Sequence, residues 1–404
     1  MPRRRLISRL AGVAVGLALV GGLASGAAAF SSWVVSPSPT PGAYGSLFRA
    51  VSARTAADAW AVGAAAASSS NQPLAEHWNG TSWSAVATPN PVAACQDGNI
   101  QWAGNAFNAV ATVAATDAWA VGHTCYIMKT LVERWNGTAC KIVPSPSFMT
   151  GGDGIQNSLN GVAAVSPTNV WAVGFHTATN GAFLTLVEHW NGTAWSVSAS
   201  LSPNSTVNVL NGVAATGPSD VWAVGYQNGG GSKPLIEHFN GTSWTTVPSP
   251  ARPAGSVLNA VTAISPTNAW AVGSYPASTG AQVTLVEHWN GTSWSVLPSP
   301  NLNTSYGSAN VLRSVAAVSA NDVWAVGMFQ NQNTNYHQHR TLTVHWNGAA
   351  WGLVSSPSPG ASGELYSAAA LPTGQLFATG LYSSYDVNIY DGTYTAPKTL
   401  AMRG

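Results

Sequence analysis

The sequence predicts an all-β fold, a seven-bladed β-propeller of four-stranded antiparallel blades. Three observations carry that expectation. A segment of the type V-W-A-V-G, followed by T-L-V-E-H-W-N-G-T-S-W, recurs about every fifty residues, a period that marks an array of stacked units. Its first aromatic stands at Trp60, Trp119, Trp171, Trp222, Trp270 and Trp324, with a degraded seventh copy at Phe377. Each unit divides into four short strand-like runs parted by turn residues, which is the make-up of a propeller blade. Composition agrees. Only 7% of residues are charged, against roughly 25% in a typical soluble domain. Eighteen tryptophans and 46% apolar residues supply a large core.

The elements follow in chain order. Arg3, Arg4, Arg5 and Arg9 form a basic start, residues 10–23 an apolar run, and Ala27-Ala28-Ala29 a cleavage site. Residues 1–29 are therefore expected to be a secretory signal and 30–404 the propeller. The apolar run is short and Gly-rich for a membrane span, so no membrane insertion is expected after the signal is removed. Residues 33–39, W-V-V-S-P-S-P, read as an outer strand with no unit before it. Such a strand is suited to fasten the ring by pairing with the last unit. Residues 394–400 are the other candidate for that role.

Within a unit the strands are named a to d. In the third unit, strand a is 159–166, rich in Val and Ala, and a Ser-Pro-Thr-Asn turn follows. Strand b is 170–174. Its Trp171 and Val173 face one way and Ala172 and Gly174 the other, so one blade presents bulk to the flat face of the next. Strand c is 186–190. Asn191-Gly192 is a strong hairpin signal because both residues tolerate positive φ. Strand d, 194–197, runs into a V-P-S-P type of tail, and proline belongs on an edge. In the last unit the corresponding strands are 365–371, 375–380 and 387–390.

With four alternating strands, the short a–b and c–d turns share one face. The long b–c and d–a connections share the other. Variable loops on a rigid scaffold are where function concentrates.

The W-N-G-T segments at Trp78, Trp135, Trp190 and Trp289, with F-N-G-T at Phe239, resemble the W-N-G-T-x-W repeat proteins exported by actinobacteria and related soil bacteria. More distantly they are similar to kelch and Asp-box propellers, without the double glycine of the one or the full spacing of the other. The resemblance implies a propeller and export, and it carries no activity.

Residues that belong to the repeat are explained by it. Asp58, Asp117, Asp220 and Asp322 occupy the a–b turn. Glu76, Glu133, Glu188, Glu237 and Glu287 occupy one position of strand c, where a structurally paired role is expected. His77, His189, His238, His288 and His345 precede the strand c aromatic. Asp97 and Asp153 stand outside the repeat, in d–a connections, and are the carboxylates an enzyme would use. His337 and His339, two apart, are a pair a metal needs, but no third ligand is evident. No nucleophile elbow and no phosphate-binding glycine loop is present.

The long-loop face gathers aromatic and imidazole side chains among many Asn, Gln, Ser and Gly. The binding candidates are Trp102, Tyr126, His176, Tyr226, Tyr275, Phe329, Tyr336, His337 and His339. Aromatics among amides suit sugar or peptide binding. Cys95 and Cys125 lie in connections of that face and are expected to form a disulfide. Cys140 takes the place of a strand d tryptophan and is expected to remain a buried thiol. The net charge of +1 becomes about −3 without the four leader arginines, and no basic run remains, which argues against nucleic acid. The reading is a secreted, monomeric, non-catalytic binding propeller. Its partner is a glycan, cell-wall polymer or protein, with no cofactor and no metal. A glycoside hydrolase or lyase using loop carboxylates, and a structural envelope protein, are the alternatives.

Overall fold

A computed structural model describes residues 32–67, 70–91, 104–124, 129–148, 156–330, 338–384 and 396–404. Among these, all regular structure is β-strand, and the strands form four-stranded antiparallel units in the order a-b-c-d. The third unit shows the pattern: Asn157–Ser166, Asn169–Thr177, Phe183–Trp190 and Trp195–Val197. Strands a to c run longer than the sequence signals, toward the long connections. Strand d is only three residues, because the proline tail ends its ladder.

Neighbouring units are stitched at the long-connection end. Strand c of one unit meets the start of strand a in the next through one parallel bridge, Phe183 opposite Val207 and Gln282 opposite Ala309. The tail after strand d folds back on strand c of its own unit. Its serine meets a strand c threonine: Ser145 with Thr130 at 2.7 Å, Ser299 with Thr284 at 2.6 Å and Ser356 with Thr341 at 3.0 Å.

The hydrophobic core lies between units. Trp171 and Val173 of one unit pack with Leu210, Val221, Ala223 and Trp244 of the next. The bulky face of strand b therefore meets the flat face of its neighbour. Four strand b tryptophans, Trp119, Trp171, Trp222 and Trp270, also touch both the strand c and the strand d aromatic of the following unit, as Trp222 does with Trp289 at 4.9 Å and Trp294 at 5.3 Å. Cys140 interrupts this series. It stands opposite Trp135, where other units pair two aromatics. A small cleft of about 20 Å³, the space of one water, remains beside it, between Trp60, Trp119, Glu133 and Trp135. The Cys140 thiol is half-buried and free, and burial pushes it up to about 12.

Short polar contacts account for the repeated His and Asp. His77 bonds Asp58 at 2.9 Å, His189 bonds Asn169 at 3.0 Å and His238 bonds Asp220 at 2.6 Å. The same rings lie on the strand b tryptophans, His189 on Trp171 at 4.2 Å. In the second unit arginine replaces the histidine, and Arg134 bonds Asp117 while lying over Trp119. The Asn-Gly hairpins form as the sequence indicates. Asn191 Oδ1 accepts from the amides of Thr193 and Ala194, and Gly192 has φ +98°.

Two readings need correction. The strand at position c of the last unit is Lys398–Arg403, paired with Leu376–Ser383, whereas 387–390 lies outside the described residues. Residues 398–400 thus belong to strand c. The strand at position d is Val34–Val35, with Val34 opposite Arg403 and Val35 opposite Met402. Second, the strand c glutamates have no charge partner within ion-pair distance among the described residues, and only Glu237, from the Leu201 amide, and Glu287, from the Ser249 hydroxyl, accept a hydrogen bond. All five are at most 1% exposed. Both carboxyl oxygens of Glu76, Glu133 and Glu188 lack a hydrogen-bond partner, and so does one oxygen each of Glu237 and Glu287. The physical reason is their place. Each sits opposite a strand b alanine, Ala172 for Glu188, and faces the interior between units. Burial pushes Glu76, Glu133, Glu188 and Glu237 up to about 8 and Glu287 to about 7, so they are held as neutral acids.

Candidate functional site

The inner strands carry a feature the repeat pattern hides. Every strand a has a bulge two to four residues after its pairing with strand b begins, marked by a register shift such as Leu159/Gly161. The bulged residues are Arg49, Asn108, Asn160, Asn211, Asn259, Arg313 and Tyr366. A bulge re-aims its side chain out of the ladder. The four asparagines use this to hold the next unit. Asn108 donates Nδ2–H to Leu159 O at 2.9 Å, Asn160 to Leu210 O at 2.9 Å, Asn211 to Leu258 O at 2.9 Å and Asn259 to Leu312 O at 2.7 Å. They form a polar collar along the innermost strands, near the long-connection end.

Arg313, Tyr366 and Arg49 break the collar. Arg313 donates to Glu364 Oε2 at 2.7 Å, and its guanidinium lies 4.6 Å from the centre of the Tyr366 ring. His339 also bonds Glu364. These partners overcome the cost of burying the Glu364 carboxylate and hold it at about 2, so it is an ionised charge partner and not an acid. Tyr366 is pushed up to about 12, by burial first and by Glu364 next. Arg49 Nη1 donates to Asn108 Oδ1 at 2.5 Å. His123 lies beside this pair, 3.4 Å from Asn108 Nδ2, and burial together with the Arg49 charge lowers it to about 4.

Charge is sorted between the two faces. On the turn face Asp58, Asp117, Asp220 and Asp322 are each bonded to a histidine or arginine. On the long-connection side, Arg49, Lys129, Lys233, Arg252, Arg340 and Lys398 have no carboxylate within ion-pair distance among the described residues. Lys233 and Arg252 border a groove of about 390 Å³ between strand c of the fourth unit and the proline tail after its strand d.

The sequence candidates are placed as follows. Tyr226, Tyr275, His176 and Phe329 lie in strands b, toward their long-connection ends. His339 opens a strand c and is bonded to Glu364. All five are half-buried. His176 stacks on Phe148 at 3.9 Å, and Tyr275 carries Arg252 over its ring at 5.2 Å. Trp102, Tyr126, Tyr336 and His337, the pair Cys95 and Cys125, and the carboxylates Asp97 and Asp153 all lie outside the described residues. Sequence reasoning missed Arg49, Arg313, Tyr366 and Glu364. The signal was present, since Arg49, Arg313 and Tyr366 stand where other units have asparagine.

Solved structures similar to this chain are β-propellers. YCF48 bound to a D1 peptide is 12% identical with a TM-score of 0.52, over 93% of this chain and 96% of that one. A PL25 ulvan lyase bound to -[GlcA(1-4)Rha3S]- is 9% identical, TM-score 0.52, over 83% of this chain and 89% of that one. A GH74 xyloglucanase from Xanthomonas campestris is 13% identical, TM-score 0.51, over 91% of this chain and 55% of that one. At such identities the likeness is one of fold: this chain folds as a β-propeller. No protein-family model matches the chain, and no curated protein matches it by sequence.

Proposed function

We propose that this chain is an exported, non-catalytic binding module that holds an acidic glycan or cell-wall polymer at its long-connection face. In this reading the units form one seven-bladed ring, closed by the strand around Val34, and the signal segment is removed on export. The observation that carries the reading is the sorting of charge. Each described turn-face aspartate is neutralised locally, while among the described residues six cations on the opposite face, against Lys141 and Arg403 on the turn side, have no carboxylate within ion-pair distance. A face with an excess of one sign attracts ligands of the other. Glu364, ionised and bound to Arg313, serves the charge balance of the face and supplies no catalytic acid. Among structural neighbours, one binds a peptide and another a glucuronate-containing polysaccharide, so the fold accommodates such partners.

Retention on immobilised polygalacturonate, with dextran as the neutral control, tests this. The purified protein is expected to be held by polygalacturonate and not by dextran. Release should follow added salt, because the screening length falls from ~10 Å at 0.1 M to ~3 Å at 1 M. Replacing Lys233 and Arg252 together by glutamine should advance elution to lower salt. Equal passage through both matrices would refute the reading.

A further inference from the structure

We propose that the arc Arg313–Tyr366–Arg49 at the inner mouth of the long-connection face is a socket for the carboxylate of a uronic acid, with Arg49 as the residue that takes the charge. This rests on the proposed binding of an acidic glycan and specifies where one sugar unit is held.

Pairing within the arc is unequal. The arc holds two guanidinium groups and one carboxylate. Glu364 is committed to Arg313 and His339. Arg49 is half-buried, and among the described residues no carboxylate lies within ion-pair distance of it. Its bond is to the neutral oxygen of Asn108, which uses one of five donors. A guanidinium withdrawn from water without a counter-charge is costly, and burial lowers its affinity for the proton. A purely structural role would not need the charge. In four other units an uncharged asparagine at this position bonds the neighbouring strand, there at a backbone carbonyl, whereas Arg49 reaches the Asn108 side chain.

His123 supplies a second observation. It faces Arg49 across Asn108 and is kept neutral by burial and by that charge. Arg49 is thus a cation beside a neutral imidazole, while the other guanidinium of the arc, Arg313, is already bonded to Glu364. A planar carboxylate matches the fork of a guanidinium through two parallel bonds. The rest of the collar suits a sugar better than an apolar peptide side chain. Asn211 and Asn259 spend Nδ2–H on backbone carbonyls and keep Oδ1 as an acceptor for hydroxyl groups. The Tyr366 ring, braced by Arg313 at 4.6 Å, offers a flat face for a pyranose.

The test is a nuclear magnetic resonance titration of the purified protein with D-glucuronate, following the His123 ring. D-Glucose, glucose 6-phosphate and an acetylated dipeptide with a free carboxylate are parallel arms. Glucuronate is expected to bind and to raise the His123 pKa, because it offsets the Arg49 charge. Glucose should bind about tenfold more weakly or worse, the worth of one charge-assisted bond. Glucose 6-phosphate and the dipeptide should also bind more weakly than glucuronate. Arg49→Gln, which retains a donor for Asn108, should keep the melting temperature and lose glucuronate by about tenfold or more, with Arg49→Lys in between. A flat glucuronate titration, equal binding of glucose, tighter binding of phosphate or dipeptide, or an unchanged Arg49→Gln would each overturn the socket. If the protein is nonetheless retained on polygalacturonate, only the socket falls. If retention is absent too, the binding reading falls with it.

Discussion

Between pH 6.5 and pH 8 the protein is expected to lose several degrees of thermal stability. The cause is the set of glutamates buried between units. Their ordinary value is 4.5, and in the folded chain four are raised to about 8 and Glu287 to about 7. A raised acid adds stability that is complete below the unfolded value and is lost as pH climbs toward the folded value. Above pH 4.5 the unfolded chain releases these protons while the folded chain keeps them, so rising pH favours unfolding. Each glutamate contributes a slope of up to ~1.4 kcal/mol per pH unit. Below pH 6.5 four half-buried histidines work in the opposite sense. His123, His176, His189 and His288 are lowered, so their contribution is present above 6.5 and lost as pH falls. Glu364, held at about 2, acts only below 4.5. The window from 6.5 to 8 therefore shows the glutamates alone.

Glu188→Gln should leave the midpoint at pH 4.5 nearly unchanged and raise it at pH 8. The position tolerates neutral residues, since Val344 and Met402 occupy it in the sixth and seventh units. A midpoint that is flat or rises from pH 6.5 to 8 would mean that the carboxylates are ionised in the folded chain.

Removing residues 33–39 is expected to produce the largest loss of stability of any short deletion at a chain end. Trp33 is 5% exposed and meets Trp324 edge-on at 6.0 Å, within a cluster that includes Val326, Leu365, Leu400 and Met402. The segment is also bonded to the last strand. The Ser36 amide donates to Ala401 O at 2.8 Å, Arg403 Nε to Ser36 Oγ at 2.8 Å, and Ser38 meets Thr399 at 2.7 Å. Truncating a buried tryptophan alone costs about 3–5 kcal/mol. Without the segment, strand c of the last unit becomes an open edge. Trp33→Ala should reproduce most of the loss in a thermal scan. A deletion that melts with the intact chain would show that this strand fastens nothing.

The repeat made much of this fold legible. The period, the Asn-Gly hairpins and the proline tails mark where the strands turn, and the alternation in V-W-A-V-G shows which face is bulky. Two kinds of information were not local. Strand c of the last unit was misplaced because the degraded repeat lacks a W-N-G-T signal, leaving only its pairing with Leu376–Ser383 to identify it. The glutamates looked structurally paired because a carboxylate in a strand gives no sign of what the next unit presses against it. Charge sorting was hidden for the same reason. No basic run follows the leader arginines, yet Arg49, Lys233, Arg252 and Arg340, spread along the chain, come to one side when strands alternate. The departures from the repeat, Arg49, Arg313 and Tyr366 among asparagines, were readable only after the bulges showed that these positions correspond.

Hydrogen exchange with and without polygalacturonate tests the central claim most directly. In the proposed complex the ligand lies on the long-connection face. Protection is therefore expected in the b–c and d–a connections, in the groove beside Lys233 and Arg252, and at the strand a bulges around Arg49 and Arg313. The a–b turns, such as 166–169, and the Asn-Gly hairpins should exchange as before. Protection on those turns or along the outer strands, with the long connections unchanged, would contradict it.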